Sequence, residues 1–118
     1  MSEFPRQLSL TERAILEFLL SQPFPGRVEL KTQLASVKVV GRCECGCETI
    51  DLSVEESACP RAPVKHRVAV EAATRVRPGT NVLLHVVDGL LRELEVYCDD
   101  GKTATLPDPI SLELFIPG

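Results

Sequence analysis

Two hydrophobic periods divide this chain, and the point where one gives way to the other limits what it can fold into. Up to about residue 35 apolar side chains recur at helical spacing, and from Ser36 onward they recur at every second position. In the first part, Leu8, Ala14, Ile15, Phe18 and Leu19 repeat around Glu12, Arg13 and Glu17. Ser9 and Glu12 stand at the spacing of a capping box, so a first helix is expected over about residues 10–21, ended by Pro23 and Pro25. Gly26 opens a second candidate helix near 27–35, with Val28, Leu34 and Ala35 apolar.

The second part reads as strands separated by turns. Val37, Val39 and Gly41 alternate with Lys38, Val40 and Arg42, and Ile50, Leu52 and Val54 alternate with Thr49, Asp51 and Ser53. Residues 55–65, with Pro60 and Pro63, read as a loop. Alternation resumes over 66–77, with Val68, Val70, Ala72, Thr74 and Val76 on one face. Strands follow at about 82–87 and 90–98, joined at Asp88-Gly89, the strongest hairpin signal in the chain. Shorter strands are expected near 103–106 and 110–116. Helices first and strands afterwards imply one α+β domain over residues 1–118, with N-terminal helices packed on a mostly antiparallel sheet of about six strands.

Composition enters where partners are concerned. The net charge of −4 argues against nucleic acid as the main partner. Basic residues concentrate between 57 and 87 (Arg61, Lys65, Arg67, Arg75, Arg77) and acidic ones between 88 and 118. The two segments are expected either to neutralise each other or to leave an acidic surface for a basic partner. No apolar stretch reaches the roughly 18 residues of a membrane helix. No basic region followed by an apolar run marks the N-terminus, so a cytoplasmic protein with reduced thiols is expected.

The five cysteines are unevenly placed. Cys43, Cys45 and Cys47 fall within five residues, and Cys59 lies twelve further on. Four thiolates suit a tetrahedral zinc ion, and Gly46 could supply the positive φ that lets neighbouring thiols converge. The one-residue gaps differ from the usual C-x₂₋₄-C spacing, and in an extended strand these thiols would stand about 7 Å apart per step. The alternative is that these cysteines pack as small apolar residues at a strand end. Beyond such a zinc ion no cofactor is expected, and no C-x-x-C redox pair is present.

No catalytic signature appears. Cys59 and His66 could form a nucleophile pair, but nothing orients them. A two-residue turn at Asp88-Gly89 would place His85 opposite Arg92, as a neutral sheet histidine. P-loop, GxGxxG and nucleophile-elbow motifs are absent from the sequence, so a non-enzymatic protein is expected.

The same register carries the partner hypothesis. It puts Leu83, Val87, Leu90, Leu94 and Val96 on one face, and Val82, Leu84, Val86 and Leu91 on the other with Glu93, Glu95 and Tyr97. Both faces of the hairpin are then apolar near the tip. Either the first helix covers one face and the C-terminal strand or the second helix covers part of the other, or Leu84 and Leu91, rimmed by Glu93, Glu95 and Asp99, meet another protein or a second copy of the chain.

Four stretches carry a resemblance: residues 10–20 (LTERAILEFLL), 24–30 (FPGRVEL), 45–47 (CGC) and 84–95 (LHVVDGLLRELE). On them the chain resembles a family of small uncharacterised bacterial proteins over most of its length. The resemblance implies no activity and no site residues. In size, α+β pattern and acidic balance the chain is also similar to immunity proteins, which implies a protein-binding role with a basic toxin as partner.

Overall fold

Ser9 starts the first helix as its sequence anticipates. In the computed structural model, which describes residues 3–76 and 78–115, the Ser9 hydroxyl accepts from the Glu12 amide at 3.1 Å. The Glu12 carboxylate accepts from the Ser9 amide at 2.8 Å, completing the capping box. Helix α1 spans Leu10–Leu19 and α2 spans Arg27–Gln33, both slightly shorter than their apolar patterns. Ile15, Leu16, Leu19 and Leu30 make the inward stripe and are fully buried. Each such side chain contributes about 1.5–3 kcal/mol on leaving water.

Six strands follow: β1 Lys38–Arg42, β2 Ile50–Ser53, β3 Val68–Thr74, β4 Thr80–Val87, β5 Leu90–Cys98 and β6 Leu112–Phe115. They form one antiparallel sheet in the order β1-β2-β5-β4-β3-β6, so the fold is α+β as the two periods imply. Its inner face, with Val39, Leu52, Val70, Val82, Leu84 and Leu94, joins the helical stripe in one core. Helix α1 rests over β3, and α2 over β5. Segment 103–106 is not a strand: its extended backbone bonds to Glu48 instead of to a ladder. Arg77 and Ile116, placed in strand-like segments by their sequence, lie outside the described residues.

Three β-bulges shift the alternation. They insert Val40 in β1, Ala69 in β3 and Arg92 in β5. The third corrects the expected hairpin register. Asp88 and Gly89 both take positive φ, as a type I′ turn requires, and Val87 pairs with Leu90 and Val86 with Leu91. The ladder then passes over Arg92 and pairs His85 with Glu93 and Leu84 with Leu94. Leu94 and Val96 thereby join Val82, Leu84, Val86 and Leu91 on the buried face. Glu93, Glu95 and Tyr97 turn outward with His85 and Leu83. The hairpin therefore has one apolar and one polar-bearing face, because the extra residue absorbs the change of phase.

A three-thiol loop as the candidate functional site

Seven residues, 43 to 49, join β1 to β2, and hydrogen bonds fix the base of this loop. The Cys43 amide donates to the Thr49 carbonyl at 3.1 Å. The buried Thr49 hydroxyl accepts from the Val96 amide at 2.9 Å and donates to the Val96 carbonyl at 3.2 Å, tying the loop to β5. The Glu48 amide donates to the Ala104 carbonyl at 3.0 Å, and the Glu48 carboxylate accepts from the Leu106 amide at 2.5 Å. Above this base the chain turns at Gly46, whose φ of +94° is open to glycine at no steric cost.

The turn does what an extended strand could not. It gathers the sulfurs of Cys43, Cys45 and Cys47 so that all three lie within 4.8 Å of one another. The Cys45 and Cys47 sulfurs are 2.9 Å apart, with the Cys45 thiol donating. Backbone amides also point at the sulfurs: that of Cys45 donates to Cys43 Sγ at 3.4 Å, and that of Cys47 to Cys45 Sγ at 3.5 Å. Cys45 is exposed and its two neighbours half-buried. The cluster stands between two open hollows. One, of about 640 Å³, is lined by Arg6, Glu12, Arg42 and Glu48, and the other, of about 500 Å³, by Glu93, Glu95, Tyr97 and Lys102.

Sharing protons makes the thiols unequal. Hydrogen bonding with Cys45 pushes Cys43 up to about 11, helped by Cys47, burial and the nearby charge of Cys45, and opposed by the Cys45 amide. Burial pushes Cys47 up too, but hydrogen bonds from Cys45, from the Thr49 side chain and backbone and from Cys43 outweigh it and lower that thiol to about 7.

The fourth cysteine of the expected zinc set is elsewhere. The Cys59 sulfur meets the Ser36 hydroxyl at 3.4 Å, outside the three-thiol cluster. Cys98 sits 3.7 Å from the Thr80 hydroxyl. Among the described residues the three loop thiols are the one His/Cys/Asp/Glu group placed to hold a metal ion.

The residues expected to meet a partner separate in space. Leu84 is 0% exposed and Leu91 1%, so both belong to the core and the apolar half of that surface does not exist. Of the two readings the sequence left open, coverage by the helices is the one observed on this face. Glu93 and Glu95 are half-buried on the outer face. Glu95 binds His85 Nε2 at 2.6 Å, while Arg67 Nε donates to His85 Nδ1 at 3.1 Å and its guanidinium lies 3.8 Å from Glu93. His85 is thus held by Arg67 and Glu95 and faces Glu93, not Arg92. Asp99 accepts from the Gly79 amide at 2.8 Å and from the Asn81 side chain at 2.6 Å, fixing the β3–β4 turn. Arg67–Glu93 and Arg75–Glu113 show the basic and acidic segments meeting each other.

Compared with protein-family models, curated proteins and solved structures, the chain matches none. Among the described residues, no helix is long and apolar enough to cross a membrane.

Proposed function

We propose that this protein is a metal-binding module that holds one thiophilic ion, of the zinc class, through Cys43, Cys45 and Cys47. The convergence of three sulfurs within 4.8 Å carries the reading. Zinc–sulfur bonds of about 2.3 Å at tetrahedral angles set sulfurs about 3.8 Å apart, so small side-chain rotations suffice to seat an ion. Apolar packing accounts for Cys47, which lies against the core, but not for Cys45, which is exposed with its thiol turned to the Cys47 sulfur. Three protein donors leave a fourth position to water or an outside ligand. The fully buried side chains lie outside residues 43–47, so the ion orders the loop while the core stands without it.

Native mass spectrometry of protein purified without chelator and incubated with zinc tests this reading. One ion per chain is expected, lost on replacing Cys43, Cys45 or Cys47 with Ser and kept on Cys59→Ser. A metal-free mass, or an ion retained by all three loop variants, sinks the proposal.

A further inference from the structure

The same loop holds two sulfurs closer together than metal binding needs. We propose that Cys45 and Cys47 are a hydroperoxide-sensitive pair that closes to a disulfide, removing two of the three donors of the metal site. The closing step stands on the geometry of the loop, whereas its consequence for the ion rests on the metal-binding reading above.

Three observations carry the pairing. The Cys45 and Cys47 sulfurs are already at 2.9 Å, and the Cys47 sulfur accepts the Cys45 thiol proton. Cys45 is exposed, so a small peroxide reaches the pair. Residues two apart span at most about 7 Å when extended and less across a turn, so the chain's reach allows the Cα separation of about 4.4–6.8 Å that a disulfide accepts. Gly46 sits at that turn, and a Cβ built on it meets nothing within 4 Å, so the loop has room to tighten. The other thiols are held differently: Cys59 by Ser36, and Cys98 beside Thr80.

The chemistry balances without a further reagent. The Cys47 sulfur, toward which the Cys45 thiol donates, reacts as its thiolate: it attacks the distal oxygen of the hydroperoxide, the O–O bond breaks, and Cys47 becomes a sulfenic acid while the peroxide leaves as water or an alcohol after taking up a proton. The Cys45 sulfur then attacks the Cys47 sulfur, the S–O bond breaks, and hydroxide takes up the Cys45 proton and leaves as water. Two thiols lose two electrons in all, and the peroxide gains them.

The test uses metal-free, fully reduced protein and one equivalent of hydrogen peroxide. Remaining thiols are blocked with iodoacetamide, the protein is reduced, and newly freed thiols are labelled with N-ethylmaleimide. The expected product is monomeric and two hydrogens lighter, with the second label on Cys45 and Cys47 alone and the first on the other three of the five cysteines. Cys59→Ser gives the same pattern. Cys45→Ser stops at a sulfenic acid on Cys47 that dimedone captures. A second label on Cys43, Cys59 or Cys98, a disulfide between chains, or oxidation no faster than that of glutathione overturns the pairing. In a parallel arm, peroxide added to zinc-loaded protein frees zinc to a chromogenic chelator. If no zinc loads, the metal reading fails while the label map still decides the pair. If zinc loads and the labels fall elsewhere, the pair alone fails.

Discussion

The carboxamide of Gln33 donates to the carbonyl of Gly89 at 2.8 Å across 56 residues of chain. The same side chain donates to the Pro60 carbonyl at 2.8 Å and accepts from the Leu91 amide at 2.9 Å, and it is 0% exposed. One buried amide therefore joins the end of α2, the 55–65 loop and the tip of the β4–β5 hairpin. Gln33→Leu leaves the Leu91 amide buried without its acceptor, while Gly89 keeps a bond from the Ala62 amide. A loss of about 2–3 kcal/mol is expected in urea denaturation. Gln33→Glu should cost more at pH 7 than at pH 4, since a carboxylate presents an oxygen to two carbonyls unless it is protonated. Equal cost at both pH values would contradict that account.

The bulge at Arg92 accommodates one residue more than strict alternation needs. Deleting Arg92 leaves Leu91 opposite Val86, Glu93 opposite His85 and Leu94 opposite Leu84, so the ladder becomes regular and each side chain keeps its face, because side chains alternate with a period of two. The deletion should therefore keep cooperative unfolding. Arg92→Ala keeps the residue count, and as a surface change it should stay within about 0.5 kcal/mol of the parent. A deletion variant that fails to fold, seen as lost amide dispersion in NMR spectra, would show that Arg92 does more than occupy the bulge.

Glu12 links stability to acid. Burial pushes its carboxyl up, but hydrogen bonds from Arg6, the Ser9 amide and the Ser9 hydroxyl, with the Arg6 charge, bring it below its ordinary 4.5. A carboxyl lowered on folding adds stability that is present above 4.5 and fades as pH falls through the folded value. Wild type should therefore exceed Glu12→Gln by about 1 kcal/mol at pH 7, a modest figure because Arg6 stays partly hydrated. The difference should shrink in urea titrations below pH 4.5. A gap that widened with acid would reverse the sign of this coupling.

In metal-free protein, Cys47 should alkylate with a midpoint near its lowered value of about 7, and Cys43 only at far higher pH. Thr49→Val removes a donor that favours the Cys47 thiolate, so its midpoint should move up. The midpoint is read from peptide-resolved iodoacetamide rates. A midpoint unmoved by Thr49→Val would remove Thr49 from the account of that thiol.

Much of the architecture is written in local signals. Ser9 with Glu12, Asp88-Gly89 and the change of period near Ser36 each act over a few residues, and the structure agrees with each. The phase of the hairpin is not local. In 90–96 the apolar residues stand at 90, 91, 94 and 96, and the step of three from Leu91 to Leu94 is the trace a bulge leaves in sequence. Read without it, strict alternation put Leu94 and Val96 on the wrong side and gave the hairpin two apolar faces. Gln33 left a similar trace, since it occupies a position between Leu30, Leu34 and Val37 where the inward stripe of α2 calls for an apolar side chain. For the cysteines the sequence supplied the donors and the glycine. It could not supply their convergence, which depends on Thr49 reaching Val96 and Glu48 reaching Ala104 across 47 and 56 residues. Nor could it show that Cys59 is taken by Ser36.

That anchored base alters the entropy of anything that happens in the loop. Cys43, Glu48 and Thr49 have already surrendered their freedom to bonds with one another, with β5 and with the 103–106 segment. Only residues 44–47 remain to be restrained, and fixing a residue costs about 1–2 kcal/mol. Folding itself has therefore met a large part of the ordering cost of a seven-residue loop before any ion arrives. Cys45 and Cys47 work as the moving end of a short lever whose fulcrum is Thr49.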